Sequence, residues 1–151
     1  MNLNVVLAEV DSIVKGAGER EKKLQAICEL LDREVSPFDW TGFYLVSEKK
    51  ERVLELGPYV GEETDHTEIP FGQGICGQAA QTLETFVVQD VRKEGNYLAC
   101  SPDVRSEIVV PVMKGERMVA ELDIDSHTEG AITPELRELC EAVAVKVSRL
   151  F

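Results

Sequence analysis

The sequence predicts an α+β fold with a mainly antiparallel sheet, on three observations. Two segments with apolar residues at helical spacing open the chain, and a third closes it. Between them lie short runs of branched and aromatic residues separated by tight polar turns. The order is helices, strands, one short helix, strands and a helix, not the regular alternation that builds a parallel sheet. No repeat or linker divides the 151 residues. They read as one domain over 1–151, with a helical segment 1–36, a sheet and pocket over 38–126 and a closing helix over 133–151.

Each element has its own signal. Residues 3–15 place Val6, Val10 and Ile13 at helical spacing, and Gly16-Ala17-Gly18 breaks the pattern. Residues 19–35 carry Leu24, Ile27, Cys28 and Leu31 on one stripe, with charge elsewhere, and Pro37 closes this part. Residues 39–47 hold Trp40, Phe43, Tyr44, Leu45 and Val46, apolar on both faces, which predicts a central strand covered on both sides. A polar turn at 48–51 leads to a partner strand with Val53, Leu54 and Leu56, expected to end at Gly57-Pro58. Residues 61–68 read as a loop with at most a short strand.

Residues 70–80 read as a glycine turn opening a short helix, and 85–91 as a strand. The polar connection over 92–104 is long for a compact domain, and such loops tend to carry function. Residues 105–113 and 117–125 form two strands joined at Lys114-Gly115-Glu116. Thr133-Pro134-Glu135 is a helix start, with a capping Thr, Pro in the first turn and an acid beside it.

Charge narrows the function. With 28 acidic and 16 basic residues, the net charge of −12 opposes binding to nucleic acid or to an anionic membrane surface. It suits a cationic or zwitterionic small ligand. No run of about 18 apolar residues is present, so no membrane span is expected. No basic stretch precedes an apolar block at the N-terminus, so a cytoplasmic location is expected. The four cysteines, Cys28, Cys76, Cys100 and Cys140, fit neither zinc-ribbon nor disulfide spacing and are expected as thiols.

Candidate chemistry concentrates between Asn96 and Asp125. Cys100 sits in a polar stretch, where a structural thiol has little reason to be, and Glu107 follows it. In the last strand, alternation puts Val119, Glu121, Asp123 and Asp125 on one face and Met118, Ala120, Leu122 and Ile124 on the other. Glu107 joins the acidic face from the neighbouring strand, with Val109 and Pro111. That face is either solvated or a pocket whose acids await an ammonium or a metal. Asp-x-Asp alone is weak ground for a metal, neither histidine stands at ligand spacing, and no metal is expected.

Gly72-x-Gly74-x-x-Gly77 matches a dinucleotide fingerprint in letters but lacks its strand–helix–strand context. It reads as a tight turn. Cys76 stands near the start of the helix that follows, where the dipole would lower a thiol pKa; the alternative is a small buried side chain. Cys28 and Cys140 lie on apolar stripes and read as core.

A family resemblance joins these pieces. The segments Asp39-Trp40-Thr41-Gly42-Phe43-Tyr44-Leu45, Leu56-Gly57-Pro58-Tyr59, Gly72-x-Gly74-x-Cys76-Gly77, Asp90-Val91, Ala99-Cys100, Ser106-Glu107-Ile108-Val109-x-Pro111 and Leu122-Asp123-Ile124-Asp125-Ser126 occur in this order. Together they resemble the GAF-domain free methionine-(R)-sulfoxide reductases over roughly residues 38–126. The resemblance implies a six-stranded antiparallel sheet with N- and C-terminal helices on one face, a ligand pocket on the other, and homodimers.

It also implies roles. Cys100 would be the nucleophile, with Glu107 and Asp125 as catalytic carboxyls. Glu107, Asp123 and Asp125 would hold the substrate ammonium and the sulfoxide oxygen, and Trp40 and Tyr44 would surround the S-methyl group. Free methionine sulfoxide would be the substrate. No cofactor is expected, only an external thiol reductant, thioredoxin-like or glutathione-like. The chain departs from the family at three places. His66 stands where the family usually has a resolving cysteine, Ser101 where Asp often follows the nucleophile, and Tyr97 where the family has His. The usual internal disulfide is therefore not available, and Cys76 or an external thiol would have to serve. Two other readings stay open: a sensor domain binding an amino-acid-like ligand without chemistry, and a redox switch between Cys76 and Cys100.

Overall fold

The computed structural model describes residues 2–97 and 101–151. Cys100, the proposed nucleophile, lies outside the described residues. Helices α1 (Leu3–Lys15) and α2 (Arg20–Glu34) lead into strands β1 (Trp40–Val46), β2 (Val53–Val60) and β3 (Glu68–Pro70). Helix α3 (Gly74–Thr82) and strand β4 (Phe86–Val88) follow. Strands β5 (Ser106–Lys114) and β6 (Arg117–Ser126) and helix α4 (Pro134–Val147) complete the order. The fold is α+β, with one antiparallel six-stranded sheet ordered β3-β2-β1-β6-β5-β4.

The central position expected for β1 is found: it pairs with β2 on one side and β6 on the other. Its faces divide the molecule. Phe43 and Leu45 point into a large apolar core with α1, α2 and α4, which includes Leu24, Ile27, Leu31, Leu122, Ile124, Leu139 and Val143. Trp40 and Tyr44 point the other way, into a smaller core with α3, which includes Ile75, Cys76, Ala79, Val88, Val104 and Val109. Burying each Leu or Ile of the large core contributes about 1.5–3 kcal/mol. That core supplies most of the cohesion against which the other face can be specialised.

Four details differ from the pattern read in sequence. Strand β2 does not end at Gly57-Pro58 but runs on to Val60. Pairing shifts between Gly42/Tyr59 and Tyr44/Leu56, so that Gly57 and Pro58 together face Phe43. Such a bulge needs no ladder hydrogen bond from the proline. Strand β4 is only three residues long, and a 3-10 turn over Val91–Lys93 replaces the rest of the expected strand. Met118 leaves the face of Ala120 and joins the smaller core, because a bulge between Val112 and Met113 shifts the register there. Finally, α3 lies on the pocket side, so helices cover both faces of the sheet.

Candidate active site

The sheet itself builds the site. β1 faces β6 with Trp40 opposite Asp125, Gly42 opposite Asp123 and Tyr44 opposite Glu121. β5 faces β6 with Glu107 opposite Asp125, Val109 opposite Asp123 and Pro111 opposite Glu121. Alternation therefore lays two aromatic rings, a glycine gap and four acids in adjacent columns on one face. All four acids are buried: Glu107 is 4% exposed, Asp123 1%, and Glu121 and Asp125 0%. The choice left open by the sequence is decided in favour of a pocket.

Gly42 has a specific task. A Cβ there would stand 2.4 Å from the Trp40 ring and 2.7 Å from Tyr59 Cβ, so only glycine lets the indole lie across the strand. Trp40 stacks on Tyr59 with centroids 5.3 Å apart and lies 6.4 Å from Tyr44. Its Nε1 donates to the Glu62 carbonyl at 3.0 Å, and the Tyr44 hydroxyl donates to the His66 carbonyl at 2.9 Å. These two bonds hold the 61–67 loop over the site. His66 lines the cavity that Tyr44 enters.

Two hollows flank the acids. One is bordered by Tyr44, His66, Cys76, Glu107 and Asp123, and its free volume of about 10 Å³ is the space of roughly one water. The other, about 80 Å³, is bordered by Trp40, Glu62, Ser101, Asp125 and His127. Ser101 is the chain neighbour of Cys100, so the described chain resumes beside Asp125.

The electrostatics follow from crowding without counter-charge. Burial, with Asp123 and Asp125 beside it, holds the Glu107 carboxyl well above the usual carboxylate range. Burial does the same to Glu121, with Asp123 adding to it, and raises Asp123 as well. Glu107 Oε1 and Asp123 Oδ1 are buried without a hydrogen-bond partner among the described residues, and Glu121 has only the Cys76 thiol near its carboxyl. Such a face holds its protons to higher pH than free carboxyls do, or awaits a cation. It can donate a proton from a carboxylic acid and it can accept an ammonium.

The sequence pattern of the GAF domain matches residues 19–150. The chain belongs to the GAF domain family. A free methionine-R-sulfoxide reductase of Saccharomyces cerevisiae is 41% identical over 88 residues, 58% of this chain and 48% of that protein. The match thus spans about half the length of this curated relative. Among solved structures, a type II free methionine-R-sulfoxide reductase from Thermoplasma acidophilum superposes with a TM-score of 0.82 at 35% identity, over 87% of this chain and 91% of that one. The free methionine-R-sulfoxide reductase from Neisseria meningitidis, solved with its substrate, gives 0.85 at 32% identity, over 98% and 89%.

In this GAF domain the fold brings Trp40, Tyr44, Glu107, Asp123 and Asp125 onto one face, while Cys100 falls outside the described residues. Cys76 is in the site, but not as the helix start alone would have it. Its thiol is buried, and burial with Asp123, Glu121, Glu107 and Asp125 around it pushes the pKa up, against the dipole of a nine-residue helix. Cys28 and Cys140 are core thiols as read, the latter pushed up by burial to about 12.

Two residues gain roles that sequence reasoning did not assign. Glu121 was placed on the acidic face but not in the site, and it proves fully buried opposite Tyr44. Asn96 clamps the start of α3: Gly74 N donates to its Oδ1 at 2.9 Å, and its Nδ2 donates to the Gly72 carbonyl at 2.9 Å. The glycine motif is thus a tight turn held from the loop, and Gly77 is there because a Cβ would meet the Pro70 carbonyl at 2.7 Å. Nothing in local spacing signals the Asn96 clamp, since its partners lie 22 and 24 residues away.

Proposed function

We propose that this chain reduces free L-methionine-(R)-sulfoxide to methionine with Cys100 as the nucleophile. The observation that supports it most is the buried face of Glu107, Asp123 and Asp125 set against Trp40 and Tyr44, in a chain whose relatives and structural neighbours include free methionine-R-sulfoxide reductases.

The chemistry uses each group once. Asp123 and its neighbours hold the substrate ammonium, which supplies the missing positive charge. Trp40 and Tyr44 enclose the S-methyl group. The Cys100 thiolate attacks the sulfoxide sulfur, and a protonated carboxyl, Glu107 or Asp125, donates to the sulfoxide oxygen. A carboxyl held protonated by burial is suited to that donation. Methionine is released and Cys100 becomes a sulfenic acid. Two equivalents of external thiol then return Cys100 to the thiol, giving a disulfide and water. Cys76 is a poor candidate for resolving this sulfenic acid, because its thiol is buried among acids and resists ionisation. A thioredoxin-like or glutathione-like reductant fills that role, no bound cofactor is required, and the protein works as a homodimer.

The test is a turnover assay with free methionine-(R)-sulfoxide and a thiol reductant. Wild-type chain consumes the substrate and Cys100→Ser does not. Absence of turnover, or full activity in Cys100→Ser, overturns the proposal. Light scattering at assay concentration checks the dimer.

A further inference from the structure

The small hollow between α3 and the sheet is matched in size to a water or an ion, not to an amino acid. Its walls are unusual for a space holding only water. Cys76, Glu107 and Asp123 each offer one ligand atom, and these three atoms lie within 4.8 Å of one another, all from buried residues. Two of the three also carry buried oxygens with no hydrogen-bond partner among the described residues, Glu107 Oε1 and Asp123 Oδ1. Beyond them Glu121 is fully buried, with Asp123 beside it and the Cys76 thiol within hydrogen-bonding reach. Two acids and a sulfur converge on the hollow, where a single cation would satisfy them. The pattern along β6 alone argued against a metal; the fold adds a sulfur from a different element.

We propose that Cys76, Glu107 and Asp123, with Glu121 beside the sulfur, form a binding site for a thiophilic divalent cation of the zinc class. Zinc bonds of about 2.0–2.3 Å in a tetrahedron set neighbouring ligand atoms roughly 3.3–3.8 Å apart. The three donors close onto an ion by small side-chain movements, since they come from two adjacent strands and the first turn of a helix packed on them. The donor set excludes the alternatives. Calcium requires six to eight oxygens and magnesium an octahedral shell rich in water, whereas one thiolate with carboxylates selects zinc, cobalt or ferrous iron. Asp125, in contact with Glu107, orients that ligand from behind.

The position has a consequence for the activity proposed above, and this part rests on that proposal. Glu107 and Asp123 cannot hold a metal and the substrate ammonium together, so zinc acts as a competitive inhibitor. Binding itself is read without turnover.

The experiment is an anaerobic titration of the reduced full-length chain with cobalt(II), followed by displacement with zinc. The expected result is one cobalt per chain with a thiolate-to-cobalt charge-transfer band. The band survives in Cys100→Ser and is lost in Cys76→Ser. Glu107→Gln, close in shape to the native residue, weakens binding at least about tenfold, the lower end of the cost of perturbing a metal shell. Circular dichroism confirms that both variants fold. Absence of the band, a band that follows Cys100 instead of Cys76, or unchanged affinity in Glu107→Gln overturns the proposal. If binding holds but free methionine sulfoxide is not turned over, the metal site stands and the reductase reading falls.

Discussion

Strand β6 has two faces, equally buried and chemically opposite. Ala120, Leu122 and Ile124 are 0% exposed against three helices, and Glu121, Asp123 and Asp125 are 0–1% exposed against α3 and the aromatic pair. The apolar face stabilises the fold by its burial. The acidic face opposes folding, because its carboxyls lose water and gain no cation within the described protein. The comparison teaches that burial alone does not mark a structural residue. Here the face that costs stability is the one reserved for a ligand, and the face that supplies stability makes this possible.

Removing a carboxyl from the acidic face should have the largest effect, and on activity rather than folding. Glu107→Gln or Asp125→Asn is expected to lower kcat/KM by about 10²–10⁴-fold, the range for loss of general acid catalysis. The denaturation midpoint should stay the same or rise. A variant that unfolds instead would show that the acids are structural. Leu122→Ala, one residue from Asp123 on the opposite face, should show the reverse: a loss of about 2–5 kcal/mol in urea denaturation with the site chemistry retained.

The pH dependence of stability separates the faces next. Glu107, Glu121 and Asp123 have folded pKa values raised above their ordinary ones. The folded state therefore binds protons that the unfolded chain releases. Stability from this source is full below the ordinary carboxylate value, 4.5 for Glu, and is lost as pH rises through the raised values. The ligand-free chain should thus be more stable near pH 5 than near pH 8 in urea titrations. Glu121→Gln should flatten that slope, and an unchanged slope would remove Glu121 from the set. The smallest effect is expected at the loop: Trp40→Phe deletes the bond to the Glu62 carbonyl. It should cost about 1 kcal/mol of stability, with a rise in KM that exceeds any fall in kcat.

Much of this was legible in the chain. The helical stripes, the turn at Gly115 and the capped start at Thr133 are local signals, and the elements they predict are present. The strand that was apolar on both faces is central for the reason given. What misled was also local. Gly57-Pro58 reads as a strand end, yet a bulge opposite Phe43 absorbs both residues. The pattern Gly72-x-Gly74-x-x-Gly77, read as a tight turn despite its phosphate-loop letters, is one, with its backbone held by Gly77 and Asn96. Cys76 is the small buried side chain that one of its two readings expects, and the acids that add to burial in raising its pKa come from other elements.

Alternation along β6 by itself determined which acids share a face, because side chains on a strand point to opposite sides in turn. The ordered segments from Asp39 to Ser126 by themselves pointed to the GAF family. Only the tertiary structure decided that the acidic face is sealed from water, that Glu121 belongs to it and that Cys76 lies against it. Those facts depend on how α3 packs across the sheet and on the register of β1, β6 and β5. Such long-range contacts fix burial and electrostatics, and no local pattern encodes them.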